Sequence, residues 1–242
     1  MKKLNYLLGY EDLKIYQDDK MFRFSLDSVL LPNFISLNKT TKKILDIGTG
    51  NAPIPLILSK KTDAKIIGVE LQKEAFELGL ESVSYNHLEN QITLIHQDIK
   101  EYSKNTETDT FDYITCNPPY FPLKEDSHIN DSTYKTLARH ESALTLEDIM
   151  KVSKKLLKNN GMLGIVNRPE RLVSIIELMK KYNIEPKRMQ LVYPHNNKEA
   201  NILLIEGRKN GKPGLKIMPP LYSHEDNGEY TKELKQYLNN II

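Results

Sequence analysis

The chain has 242 residues, a net charge of +2 and a single cysteine, Cys116. This length suits one large domain, or one domain with a small appendage, and a lone cysteine excludes a disulfide framework. The first residues lack the apolar core of an export signal and no apolar stretch approaches a membrane span, so the sequence predicts a cytoplasmic protein with no membrane partner.

The small net charge conceals an asymmetry along the chain. Residues 1–150 carry 17 Lys and Arg against 23 Asp and Glu, giving −6, whereas residues 151–242 carry 17 against 9, giving +8. A basic half suits a polyanionic partner, because each Lys or Arg that neutralises a phosphate releases a counterion. A Lys-rich solvated surface is an equally good interpretation of the same charge.

Short β-branched segments alternate with helical patterns along the chain. Strands are predicted at 43–47, 65–70, 92–96, 111–116, 161–167, 189–193 and 201–207, and helices at 53–61, 73–86, 145–159 and 169–183. This alternation predicts an α/β fold with a seven-stranded, mostly parallel sheet and helices on both faces. No helix separates the last two strands, which predicts that they form an antiparallel pair at one edge of the sheet, with one antiparallel edge strand.

Ligands of such sheets bind beyond the carboxyl ends of the strands. The first predicted strand leads into a glycine loop, with Gly48 and Gly50 allowing a tight turn and Pro53 at the first position of a helix. Pro53 replaces the third glycine of the dinucleotide fingerprint, which weakens the nicotinamide interpretation.

Polar residues also follow the next three strands. Glu70 ends the second and suits a ribose diol, Asp98 follows the third, and Asn117 follows Cys116, the last residue of the fourth. Taken singly, Glu70 and Asp98 are more typical of helix starts. Their joint spacing favours a nucleoside-like ligand.

The order DIGTGN (46–51), Glu70, Asp98 and NPPY (117–120) resembles the class I S-adenosylmethionine-dependent methyltransferases that methylate amino groups on planar systems. The stretches FRFSLDSVLL, DIGTGNAPIPLIL, CNPPYF, ARHE and KEANILLIEGRK resemble, within that class, the bacterial tRNA1(Val) adenine-N6 methyltransferases, which modify the adenine 3′ of the anticodon. The resemblance implies a Rossmann-like fold, with a cofactor-covering segment at 1–42, a methyltransferase domain at 43–209 and a C-terminal extension at 210–242.

The resemblance also implies roles for individual residues. S-adenosylmethionine would be the cofactor. Glu70 would take its ribose hydroxyls, Asp98 would contact the amine of its adenine, and the glycine loop would lie under its methionine part. The implied cofactor residues are Phe24, Ser25, Asp27, Asp46, Gly48, Gly50, Asn51, Glu70 and Asp98. An ordinary helix start with a surface acid is the competing interpretation of Phe24, Ser25 and Asp27.

The NPPY motif suits methyl transfer to a planar amine. Asn117 can offer its side-chain oxygen and Pro118 its carbonyl to the N–H groups of the amine as positive charge develops. Prolines 118 and 119 fix these acceptors, and Tyr120 or Phe121 would stack on the target base. The implied catalytic residues are therefore Asn117, Pro118, Pro119 and Tyr120.

An RNA substrate requires phosphate contacts in addition to the base. The predicted substrate residues are Phe121, Lys124, Arg139, Lys187, Arg188 and Arg208, with Lys135, Arg168, Lys198, Lys209 and Lys212 as further candidates. No metal site is expected, because one cysteine and six histidines show no ligand spacing.

Two other functions compete with the tRNA assignment. A glutamine amide of a protein such as a release factor presents a similar NH₂ group, although relatives of that kind carry a long helical domain before the first strand. A non-catalytic RNA-binding module on the same fold is the second alternative, and an intact NPPY motif argues against it.

Overall fold

The computed structural model describes residues 1–19, 25–118 and 144–239. Within these ranges the strands are β1 Lys2–Leu7, β2 Tyr10–Asp18, β3 Lys43–Ile47, β4 Lys65–Glu70, β5 Ile92–His96, β6 Phe111–Cys116, β7 Leu157–Asn167, β8 Ile184–Tyr193, β9 Ile202–Lys209, β10 Lys216–Ile217 and β11 Leu221–Tyr222. The α-helices are α1 Leu26–Phe34, α2 Pro53–Leu58, α3 Lys73–Tyr85, α4 Ile99–Asn105, α5 Leu146–Leu156, α6 Leu172–Lys181 and α7 Lys232–Asn239.

The main sheet confirms the predicted fold class and corrects two details of it. Its strand order is β10-β8-β9-β7-β6-β3-β4-β5, and β11 also pairs with β8. Only β9 runs against its neighbours among the described strands of this sheet. The predicted antiparallel pair, β8 and β9, is confirmed. Its antiparallel member β9 is not an edge strand, however, because it inserts between β7 and β8. The described sheet has nine strands where seven were predicted, because the short strands β10 and β11 add to β8. The hairpin-like connection from β8 to β9 specifies antiparallel pairing but does not specify which of the two becomes the edge.

Strand β7 begins earlier than the sequence pattern indicates. Helix α5 ends at Leu156 and β7 starts at Leu157, where the helical pattern had predicted a helix up to 159. The segment Lys158–Gly161 contains two asparagines and a glycine, which are weak helix formers, and Asn160 has a φ of 64°. Low helix propensity and pairing with β6 therefore outweigh the apolar periodicity there.

An antiparallel hairpin of β1 and β2 precedes the sheet and was not predicted. Leu13 and Ile15 alternate with polar residues and bury one face of the hairpin. Asn86, at the end of α3, donates to the carbonyl of Lys14 at 2.6 Å and accepts from its N–H at 3.1 Å. The amide of Asn51 donates to the carbonyl of Tyr16 at 2.7 Å. The hairpin is thus fixed to both α3 and the glycine loop.

Two apolar layers sandwich the sheet. One contains the hairpin, α1, α2, part of α3 and α7, and the other contains α4, α5 and α6. Strand β3 serves both layers, because Ile44 packs in the first while Leu45 and Ile47 pack in the second. The C-terminal segment closes the β8 side, with β10 and β11 paired to β8.

A buried polar network joins the end of α1 to the antiparallel part of the sheet. Glu206 on β9 is 2% exposed and accepts hydrogen bonds from Tyr113 Oη at 2.6 Å, Ser36 Oγ at 2.6 Å and Ser36 N at 2.9 Å. Arg188 Nε lies 3.1 Å from its Oε1, and Arg188 Nη2 donates to the carbonyl of Phe34, the last residue of α1. The charge of Glu206 is therefore compensated inside the fold.

No α-helix within the described ranges combines the length and the apolar character that crossing a bilayer requires. The same ranges hold no group of three or more His, Cys, Asp or Glu side chains arranged to bind a metal ion.

Replacing Arg188 with Ala should lower the free energy of unfolding by about 3 kcal/mol, because it leaves the buried Glu206 carboxylate without its cation. Arg208→Ala is the matched control: Arg208 is an exposed cation on β9, and its loss should change stability by less than about 0.5 kcal/mol. Urea denaturation of both variants measures the difference. Equal effects would show that Arg188 acts as an ordinary surface charge.

Candidate active site

The described residues predicted to bind the cofactor and hold the target lie at one edge of the sheet. The parallel register pairs Ile47 with Cys116 and with Val69, and pairs Glu70 with His96. Gly48 and Asn117 are the first residues after β3 and β6. By the same register they lie level with Glu70, the last residue of β4. Adjacent strands lie about 4.8 Å apart. We call this carboxyl end of the parallel strands the site edge, and the opposite end the amino edge.

The glycine loop has the conformation that its residues predict. Gly48 and Gly50 have φ angles of 66° and 58°, which glycine adopts without strain. The N–H groups of Gly48 and Thr49 donate to the carbonyl of Val69 at 2.9 and 3.2 Å. A Cβ added at either glycine would meet no atom of the described residues within 4 Å. Both glycines therefore border open space, and Pro53 begins α2 as predicted.

Glu70 fastens this loop to the end of β4. Its side chain is buried, with Oε2 accepting from Gly50 N at 2.7 Å and Oε1 from Gln72 N at 2.8 Å. Each carboxylate oxygen has a second lone pair, so these bonds leave acceptor capacity for a ribose diol. Glu70 therefore shapes the site, and its contact with a ribose stays a prediction.

Asp46 is fully buried beneath the loop. Its Oδ1 accepts from Thr115 Oγ1 on β6 at 2.7 Å, while Oδ2 has no hydrogen-bond partner among the described residues. Burial raises the pKa of Asp46 to about 7, the hydroxyls of Thr49 and Thr115 oppose the rise, and the neighbouring Glu70 charge adds to it.

The two other predicted cofactor residues near this loop make structural contacts. Asn51 is the residue that binds the hairpin carbonyl of Tyr16. Asp98 caps α4 by accepting from Lys100 N at 2.7 Å, which is the helix-start role that the sequence had also allowed. Their contacts to a cofactor remain predictions.

The first turn of α1 approaches the end of β6. Ser25 Oγ donates to Asp27 Oδ2 at 2.9 Å, and burial raises the pKa of Asp27 against the opposing effects of Ser25 and of the Arg168 charge. Asn117 Nδ2 donates to Ser28 Oγ at 2.9 Å. The segment predicted to cover the cofactor therefore contacts the predicted catalytic amide directly.

Several predicted residues lie outside the described ranges. They are Phe24, Pro119, Tyr120, Phe121, Lys124, Lys135 and Arg139. Their roles stay predictions.

The predicted phosphate contacts on β8 and β9 lie away from the site edge. Because β9 runs against β7 and β8, its Arg208 pairs with Met162 in the middle of β7 and with Glu185 near the start of β8, whereas Leu203 pairs with Asn167 at the site edge. Lys187, near the start of β8, also lies towards the amino edge. Arg188 is engaged with Glu206 and Phe34. We therefore do not include Lys187, Arg188 and Arg208 among the residues that we propose to bind the substrate.

Three site residues were missed by sequence reasoning. Ser28 binds Asn117, Thr115 binds Asp46, and Leu71, directly after Glu70, is 46% exposed, where a flat ring could pack. The position of Leu71 directly after an acid that ends a strand could have identified it as a site residue. No sequence pattern could have identified Ser28 and Thr115, because their partners are distant in the sequence.

The chain resembles known proteins over most of its length. The sequence model of the methyltransferase small domain family matches residues 25–183. A Flavobacterium psychrophilum protein named tRNA1(Val) (adenine(37)-N6)-methyltransferase is 28% identical over 217 residues, covering 83% of this chain and 91% of that protein. A protein of the same name from Parabacteroides distasonis is 29% identical over 197 residues, covering 81% of each chain.

A solved structure supports the fold. A predicted O-methyltransferase from Agrobacterium tumefaciens aligns with a TM-score of 0.70 at 18% identity, covering 89% of this chain and 96% of that chain.

The raised pKa of Asp46 predicts a pH dependence of stability. The folded state retains a proton that the unfolded chain, with an ordinary pKa of 3.8, has already released, so stability falls as pH rises from about 4 through about 7. Between about pH 5 and pH 8 the free energy of unfolding of the wild type should fall by about 2 kcal/mol more than that of Asp46→Asn. Urea denaturation at both pH values measures this; equal decreases in the two proteins would contradict the assignment.

Proposed function

Because the chain belongs to the methyltransferase small domain family, we propose that it transfers a methyl group from S-adenosylmethionine to the exocyclic N6 amine of an adenine in tRNA. The observation that carries this proposal is the position of Asn117 and Pro118, which follow β6 on a level with the glycine loop of β3. The names of the two relatives support the tRNA substrate. By the same likeness, the target is the adenine 3′ of the anticodon in valine tRNA.

The described residues of the site edge fit the cofactor. When bound, S-adenosylmethionine supplies an electrophilic methyl group on a positively charged sulfur. Glu70 is placed to accept from ribose hydroxyls, and the open space over Gly48 and Gly50 admits a ligand close to the backbone.

The acceptor side of the site explains why an amide followed by proline is suited to the reaction. The amine of adenine is a poor nucleophile because its lone pair is delocalised into the ring. The side-chain oxygen of Asn117 and the carbonyl of Pro118 hold the two N–H groups, which favours a pyramidal nitrogen and stabilises the positive charge that develops. The proline fixes the backbone of its carbonyl before the base arrives. The amine becomes acidic only after transfer, so no early general base is required.

The RNA backbone requires basic groups near the site edge. Arg168 follows β7 at this edge and donates from Nη1 to the carbonyl of Asn201 at 2.7 Å, and Lys198 is exposed in the connection between β8 and β9. The predicted contacts Lys124 and Arg139 follow Asn117 in the sequence, outside the described ranges. We assign phosphate contacts to this group of four.

The test of the function is a labelling reaction. The purified protein is incubated with methyl-labelled S-adenosylmethionine and tRNA that lacks its own modifications, and the labelled nucleoside is identified after digestion. Label in N6-methyladenosine is expected. Label absent from RNA but present in glutamine residues of an added protein fraction would instead favour the amide alternative, and no label in either would contradict methyl transfer to these acceptors.

Two variants separate the roles within the site. Asn117→Ala should abolish labelling while S-adenosylmethionine still binds, because it removes an acceptor for the target amine alone. Glu70→Ala should weaken cofactor binding at least tenfold, because it removes the ribose acceptor and releases Gly50 N. Calorimetry with S-adenosylmethionine measures both. Lost cofactor binding in Asn117→Ala with retained binding in Glu70→Ala would reverse the assignments.

The position of the RNA contacts predicts a difference between two double variants of equal charge. The salt dependence of tRNA binding is measured as the slope of log K against log salt concentration. Replacing Arg168 and Lys198 with Ala should reduce the magnitude of this slope by about one to two. Replacing Lys187 and Arg208 removes the same charge at the amino edge and should leave the slope unchanged. Filter binding at several salt concentrations provides the slopes. A larger change in the second variant would place the RNA on the other edge.

A further inference from the structure

We propose that Ser28 is a positioning residue for methyl transfer, because its hydroxyl holds the Asn117 amide with the nitrogen turned to α1 and the oxygen turned to the methyl acceptor. This inference rests on the proposed function and adds a residue to it. Ser28 Oγ accepts from Asn117 Nδ2 at 2.9 Å across 89 residues of sequence.

The orientation of this amide decides whether it helps the reaction. The two ends of an asparagine side chain have nearly the same shape, but one is an acceptor and the other carries two donors. With the oxygen towards the target, the amide accepts an N–H of the substrate. With the nitrogen towards the target, two donors would face each other, and the positive charge of the transition state would be destabilised.

Ser28 is itself held rigidly. It is 5% exposed and lies in the first turn of α1. The carbonyl of Phe34 at the other end of α1 accepts from Arg188, and Ser36 just beyond it donates to Glu206. A hydroxyl fixed by a packed helix can set a side chain on a neighbouring strand more precisely than a solvated group can.

The neighbouring polar groups of α1 have other partners. Asp27 accepts from Ser25, and Asn33 donates to the carbonyl of Val29 within the helix. Ser28 is thus the α1 side chain through which the helix reaches Asn117 among the contacts of the described residues. This separates its role from that of Ser25 and Asp27, which we associate with the cofactor.

The main test compares Ser28→Ala with Ser153→Ala, which removes a buried hydroxyl of α5 that has no hydrogen-bond partner among the described residues. Ser28→Ala should lower kcat about tenfold, with KM for tRNA and the Kd for S-adenosylmethionine within about twofold of the wild type. Ser153→Ala should change none of the three, and Ser28→Thr, which keeps the hydroxyl, should recover most of the kcat. Equal kcat values in the two alanine variants, or a tenfold loss of cofactor affinity in Ser28→Ala, would overturn the proposal.

A second comparison uses a side chain with no orientation to set. In Asn117→Asp both ends of the side chain are oxygen, so adding Ser28→Ala should cost about twofold or less in single-turnover rate, compared with about tenfold in the Asn117 protein. The same loss in both backgrounds would show that Ser28 supports the local fold and not the amide orientation. If Asn117→Asp has no measurable turnover, the Ala and Thr variants decide.

The outcome is separable from that of the proposed function. A wild-type protein that labels no RNA contradicts the tRNA assignment, and the Ser28 variants are then measured on whichever NH₂ substrate takes the label. Labelled RNA with no effect of Ser28→Ala contradicts the positioning role alone.

Discussion

The hydrogen bonds of the Glu70 carboxylate are the interaction on which the geometry of the site depends. By accepting from Gly50 N and Gln72 N, one buried side chain joins the loop after β3 to the start of the chain after β4. Hydrogen bonds to a charged acceptor are stronger than hydrogen bonds between neutral groups. Here they fix two backbone N–H groups that lie just beyond two neighbouring strands. Because β3 also pairs with β6, the position of Asn117 relative to the loop follows from the same register.

Helix α1 links the site edge to the antiparallel part of the sheet formed by β8 and β9. Its first turn contacts Asn117 through Ser28, and its last carbonyl accepts from Arg188. Arg188 and Ser36 both meet Glu206, which also accepts from Tyr113 on β6. A helix held at both ends in this way has little freedom to tilt, so polar contacts far from the reaction can keep the acceptor oxygen in place.

How much the sequence predicts depends on how local the determining interactions are. The glycine loop, Pro53 at the start of α2 and the acids after β4 and β5 are set by neighbouring residues, and all were predicted. The hairpin of β1 and β2 was missed, because its pairing is stabilised by Asn86 and Asn51, which lie far along the chain. The internal place of β9 was missed for the same reason: adjacency in sequence gives the pairing with β8 but not the pairing with β7.

The basic half of the sequence shows why net charge is a weak guide to an RNA surface. Several of its cations are paired with acids, as in Lys181 with Glu147, Lys209 with Asp109 and Arg188 with Glu206. Because β8 and β9 run in opposite directions, cations near the start of β8 and near the end of β9 both come to the amino edge. Among the described residues of the site edge, Arg168 follows β7 and its charge acts on Asp27, which is buried like Asp46 and Glu70. That arrangement suits a cationic cofactor held among the acids, with the phosphates of a polyanion kept outside them.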